Sequence, residues 1–182
     1  MQAAAKRAKT QAEERPPARI AVIGAAWWSQ GWHLPQLACN PNATLAAIVE
    51  RSEQPTAAPF LNTTLESKAQ LAKRYPSVKI FSSCEELLQD HETMRQVDGV
   101  IVCTAHALHA SMSMQFLAAG KHILCEKPMT VDVAEARTLA AAAAAAAPKL
   151  TFMVNNTAVR AMGLHPWAAP PLLHAHDFVL DL

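Results

Sequence analysis

At 182 residues, 51% hydrophobic and 17% charged, the chain has the apolar material for one packed domain and none of the charge bias of a disordered one. A net charge of +1, with no basic run interleaved with aromatics, argues against nucleic acid as a partner. No apolar run approaches the roughly 20 residues that span a bilayer. The four cysteines (Cys39, Cys84, Cys103 and Cys125) contain no C-x-x-C pair, so they read as small buried hydrophobes of a reducing, cytoplasmic compartment.

Residues 1–18 mix Lys6, Arg7, Lys9 and Arg15 with Glu13 and Glu14, then Pro16 and Pro17, and read as a solvated tail. The tail has no apolar core of a secretory signal. Its glutamates and lack of serine disfavour, without excluding, an organellar transit peptide. Arg19 to Ile23 is a β-branched apolar run, the pattern of a strand buried on both faces. It breaks at Gly24, and a helix is predicted from Trp27 to Cys39, kinked by Pro35 or starting late. Trp27, Trp28 and Trp32 are expected to pack that helix on the sheet; forming a wall of a cofactor site is the competing reading.

Thr44 to Val49 is the second predicted strand, and it delivers Glu50 at its carboxyl end. Arg51 to Leu61 is a loop. A helix is expected from Thr63 to Tyr75, with Thr63 and Glu66 as a capping box and Leu65, Ala69 and Ala72 on one face. Val78 to Phe81 is a third strand, and Ser83 with Glu86 opens a short helix through Leu88. Gly99 to Thr104 is a fourth strand, with His106 and His109 on the turn after it. Met112, Phe116 and Leu117 make the buried face of the next helix, which Gly120 caps.

His122 to Cys125 is a fifth strand, followed at once by Glu126-Lys127-Pro128. A long helix begins near Asp132, with Glu135 completing its cap, and runs through the alanines Ala140 to Ala147 until Pro148 stops it. Leu150 to Val154 is a sixth strand, leading to Asn155, Asn156 and Arg160. Residues 161–182 are proline-rich and irregular. His174, His176 and Asp177 there read as solvated side chains, so no metal site is expected. Strand and helix alternating over residues 19–160 predict a doubly wound parallel α/β domain.

Ligands of such sheets bind beyond the carboxyl ends of the strands. Four groups converge there. The Gly24 turn comes first, with Ala25, Ala26, Trp28 and Ser29, where a helix N-terminus can receive a pyrophosphate. The G-x-G-x-x-G spacing is imperfect, because Ala26 and Ser29 replace the second and third glycines. Second is Glu50, about 20 residues on, where an acid accepts from a ribose hydroxyl. Arg51 and Ser52 beside it could instead hold a 2′-phosphate, which leaves NAD and NADP both open. The third group is Thr104, Ala105, His106 and His109. The fourth is Glu126 with Lys127, which on local sequence alone reads as an ordinary surface ion pair.

Three ordered stretches carry a resemblance: A-V-I-G-A-A-W-W-S-Q-G-W-H-L-P, D-G-V-I-V-C-T-A-H-A-L-H and A-A-G-K-H-I-L-C-E-K-P-M. They resemble the Gfo/Idh/MocA family of NAD(P)-dependent oxidoreductases over residues 19–160. The resemblance implies a Rossmann domain in which the Gly24 turn binds pyrophosphate and Glu50 the adenosine ribose. It implies that Thr104 and His106 lie along the cofactor. Lys127 would be the catalytic residue at the nicotinamide end, positioning or polarising a small-molecule substrate during hydride transfer at a C–OH carbon. The family usually has Pro where Ala105 stands.

Family members continue into an α/β substrate domain of on the order of 150 residues. Only 22 residues follow Arg160, so that domain is expected to be missing or supplied in trans. Two other readings follow from this: a non-catalytic nucleotide-binding or regulatory module, and an inactive fragment that self-associates through its exposed sheet or domain face.

Overall fold

The computed structural model describes residues 16–58, 61 and 63–156. Six parallel strands form one sheet in the order β3-β2-β1-β4-β5-β6. The strands are β1 (Ala18–Ile23), β2 (Ala43–Val49), β3 (Lys79–Phe81), β4 (Gly99–Val102), β5 (His122–Glu126) and β6 (Phe152–Asn155). The order reverses between β1 and β4, which opens a crevice at their carboxyl ends. This is the predicted doubly wound architecture. The expectations for residues 1–15, Arg160 and 161–182 lie outside the described residues.

Alternation along each strand divides the core between two faces. Ala21, Ile23, Val100, Val102, Ile123 and Cys125 face one way. That side is covered by α3 (Cys84–Gln89), α4 (His91–Gln96), α5 (His109–Ala118) and α6 (Val133–Ala146), which contribute Leu87, Met94, Phe116 and Leu139. Val22, Ile48 and Ile101 face the other way, against Leu34, Leu37 and Leu71. Those leucines belong to α1 (residues 27–39) and α2 (Lys68–Arg74).

Helix α1 is continuous through Pro35. Its middle, Ser29–His33, is a π-turn, in which the Leu34 amide bonds to the Ser29 carbonyl five residues back. A wider turn gives the proline ring room and hides its missing N–H. The expected kink is thus resolved by winding.

Helix α2 starts at Lys68, with Ser67 and Gln70 as its capping box, not at Thr63. The Gln30 side chain accepts from the Glu66 amide at 2.8 Å and donates to the Glu66 carbonyl at 3.0 Å. Held like a strand by that amide, Glu66 cannot enter a helix. Leu65 and Leu71 are buried, whereas Ala69 and Ala72 face solvent. Ser83 caps α3 as expected, but the Glu86 carboxylate reaches back to the Ser82 amide. Helix α4 has no counterpart in the predicted elements; Asp90 caps it by accepting from the Thr93 amide at 3.0 Å. β4 stops at Val102, two residues early, and β5 runs on to Glu126. β6 begins at Phe152 and not at Leu150.

Gly120, at φ +73°, ends α5. The amides of Gly120 and Lys121 turn back to the carbonyls of Leu117 and Phe116, which is the Schellman arrangement. Phe116 itself is fully buried between α5 and the sheet. Phe116→Ala should lower the unfolding free energy by about 3–5 kcal/mol, measured by urea denaturation.

Candidate cofactor-binding site

The site begins where β1 ends. The Gly24 amide donates to the Val49 carbonyl at 2.8 Å, and its φ of +91° lies in the left-handed region. A Cβ at this position would sit 2.5 Å from the Cys103 carbonyl oxygen. Only glycine lets β1 turn this close to the loop after β4.

Glu50 lies against this bend. Its carboxylate accepts from the Ala25 amide and from the Ser52 amide, each at 2.8 Å. Glu50 is 9% exposed, so the charge is largely desolvated and answered by backbone dipoles. Two expectations are corrected here. Ala25 is fully buried with its amide spent on Glu50, and Ser29 is fully buried with its hydroxyl donated to the Gly24 carbonyl. Both shape the turn, and neither lines the crevice that the next residues border. Ser29 does the packing that the third glycine of the fingerprint would otherwise allow.

Ala26, Trp27 and Trp28 open α1. Their amides have no acceptor among the described residues, as expected of a first helical turn. They look onto a crevice of about 530 Å³, whose other walls are Thr56 to Ala58, Thr104, His106, Glu126 and Lys127. The structure therefore brings together Ala26, Trp28, Thr104, His106, His109, Glu126 and Lys127. Arg51 and Ala105 are exposed outside the lining.

Of the three tryptophans only Trp28 packs α1 on the sheet, half-buried beside Leu34 and Leu37. Trp27 and Trp32 are 37% and 52% exposed, and Trp28 lies between them, its ring tilted by 55° and 41° to theirs with centroids 5.3 and 5.5 Å away. Trp27 and Trp28 are walls of the crevice. The residues Thr56, Ala57 and Ala58 carry no motif, and nothing in their sequence marks them as lining it.

His109 is 1% exposed and ties two loops together. Its Nδ1 lies 2.7 Å from the Pro128 carbonyl and its Nε2 3.0 Å from the Thr104 carbonyl. The ring is committed to holding the Lys127-Pro128 segment beside the loop after β4. Lys127 itself is exposed at the crevice.

Glu126, 5% exposed, is the second buried carboxylate. Its Oε1 accepts from Trp28 Nε1 at 2.8 Å and Asn155 Nδ2 at 2.6 Å, and meets His33 Nε2 at 2.7 Å. Its Oε2 accepts from the Lys127 amide at 3.2 Å. Burial works to raise the acid's pKa, but the bonds from His33, Asn155 and Trp28 outweigh it and hold the pKa below the ordinary glutamate range. Nearby, burial pushes the thiols of Cys103 and Cys125 up to about 11, so neither is a thiolate at neutral pH. Among the described residues no three His, Cys, Asp or Glu side chains form a metal cluster, and no helix is long and apolar enough to cross a membrane.

A family profile described as an oxidoreductase family with an NAD-binding Rossmann fold matches residues 18–155. The chain belongs to the Gfo/Idh/MocA oxidoreductase family. The match makes this its nicotinamide-dinucleotide-binding domain. An uncharacterized oxidoreductase of Schizosaccharomyces pombe is 34% identical over 125 residues, which is 68% of this chain and 30% of that protein. A 1,5-anhydro-D-fructose reductase of Ensifer adhaerens is 36% identical over 84 residues, covering 46% of this chain and 24% of that one. The chain thus spans about a third or less of these Gfo/Idh/MocA relatives.

Among solved structures, a 3-ketoreductase of Actinomadura kijaniata in complex with NADP and TDP-benzene superposes with a TM-score of 0.61 at 29% identity, over 76% of this chain and 37% of that one. A gentamicin A biosynthesis protein in complex with NAD superposes with a TM-score of 0.60 at 27% identity, over 77% and 34%.

The depressed Glu126 pKa fixes the sign of a pH effect. A carboxylate bound more tightly as the anion in the fold contributes stability above its ordinary titration range, and that stability is lost as the pH falls. The melting temperature should therefore drop between about pH 6 and about pH 3, with a smaller drop in Glu126→Gln. Thermal melts of both proteins across that range check it. Equal pH slopes would contradict it.

Proposed function

We propose that this domain binds NAD(H) along the crevice and serves an oxidoreductase acting on a C–OH carbon of a sugar, polyol or related small molecule. One observation supports this most: the free amides of Ala26 to Trp28, which directly follow the Gly24 bend, border the same crevice as Lys127. Its volume is in the range of cofactor sites. The amides at the head of α1 would receive the pyrophosphate, where the helix dipole favours negative charge. Glu50 would accept from the adenosine ribose, since each of its oxygens keeps a lone pair beyond the amide it already bonds. Its buried negative charge opposes a 2′-phosphate, which favours NAD(H) over NADP(H).

When bound, the nicotinamide supplies the acceptor or donor of a hydride. Lys127 would donate hydrogen bonds to the substrate oxygen from its ammonium, drawing electron density from the carbon that loses or gains the hydride. His106 and Thr104 border the same space. Substrate class rests on the activities of relatives, a 1,5-anhydro-D-fructose reductase among them. Isothermal titration of the chain should show NADH binding at least about tenfold more tightly than NADPH. Equal affinities would remove the NAD preference, and no binding of either at millimolar concentration would remove the whole reading. In the oxidoreductase as it acts, Lys127→Ala should lower substrate-dependent turnover while leaving NADH affinity within about twofold.

The carboxyl edge also exposes Leu108 after β4 and Val131 and Val133 after β5, at 42%, 61% and 67%. Apolar surface gathered beside a ligand crevice favours contact with a second folded surface. For the chain by itself, we infer self-association through this edge. Sedimentation should show concentration-dependent oligomers that Val131→Ser with Val133→Ser reduces; a monomer at all concentrations would contradict it.

A further inference from the structure

Trp28 and His33 lie five residues apart on α1 and yet meet the same oxygen of Glu126. In a regular α-helix, residues five apart point about 140° away from each other. The π-turn over Ser29–His33 closes its hydrogen bond over five residues and so swings the two side chains toward one side. With Asn155 from the adjoining strand, three donors surround one buried oxygen. The other oxygen holds the amide of Lys127. The helix whose first turn offers amides to the crevice is thereby fastened, through one carboxylate, to the residue at the far wall.

We propose that Trp28 and His33 are positioning residues: the π-turn latches α1 onto Glu126 and sets Lys127 in register with the helix N-terminus. The value of this register to catalysis rests on the nucleotide-binding reading above; the latch itself does not. The turn exists for the latch, and its accommodation of Pro35 is secondary. Gly31, inside the turn, is exposed and would meet nothing if it carried a side chain, so local packing does not demand the extra residue.

The test uses the full chain labelled with ¹⁵N at its tryptophan indoles, with the Trp28 resonance assigned by Trp28→Phe. A hydrogen bond to a buried carboxylate shifts that N–H resonance. His33→Leu and Glu126→Gln should each move it, and Pro35→Ala should leave it in place. NADH affinity should fall about tenfold in His33→Leu, the scale of one lost bond to a charged group. It should return to within about threefold in His33→Gln, whose amide can donate to the same oxygen.

An indole resonance indifferent to Glu126→Gln would overturn the latch. So would one that moves in Pro35→Ala as far as in His33→Leu. NADH binding unchanged in His33→Leu would overturn the positioning role. If the unmodified chain binds no nucleotide while the indole responds as stated, the nucleotide reading fails and the latch stands. Should His33→Leu not fold, as judged by its melt, Glu126→Gln and Pro35→Ala still decide the matter.

Discussion

The whole carboxyl edge depends on one close approach, that of the Gly24 backbone to the carbonyl of Cys103. With no room there for a Cβ, β1 can turn sharply and hand the chain to α1 directly over the neighbouring strand. The turn leaves the Ala25 amide pointing at Glu50 and the following amides pointing outward. Had the chain needed a wider path, the helix would start farther from the sheet, and its first turn would lose its place above the crevice. Backbone geometry is thus settled before any side-chain chemistry begins.

Two buried carboxylates then divide the work. Glu50 is answered by backbone amides, a rigid arrangement that fixes the loop around it. Glu126 is answered mainly by side chains from α1 and β6, so its environment depends on how distant elements pack. Each charge costs several kcal/mol to bury unless it is bonded. Both are bonded on both oxygens, which is why they can stand beside an otherwise apolar core.

The sheet was legible because parallel strands buried on both faces read as unbroken apolar runs, as Ile20 to Ile23 and Val100 to Val102 do. Helix starts were legible only where capping is local: Ser83 and Asp132 were found. The start of α2 was misplaced, because the Gln30 side chain, far off in the sequence, decides it. Helix α4 is too short for its apolar period to register. At the site, Gly24 and Glu50 stood out through spacing, and Lys127 only through the family resemblance. The inward roles of Ala25 and Ser29, and the exposure of Trp27, did not. A turn's sequence does not say which amide points where, and a tryptophan fits a core or a wall equally well. The Glu126 cluster gathers positions 28, 33, 126 and 155, and no local pattern unites them.

Asn155 is the last residue of the edge strand, and its amide grips the same oxygen as the α1 side chains. The chain therefore leaves the sheet at a point mechanically joined to the interior of the crevice. A pull or an ordering event in whatever polypeptide follows Asn156 acts on that carboxylate after crossing a single side chain. News of a docked neighbour would reach the backbone amide of Lys127 by a path only two hydrogen bonds long.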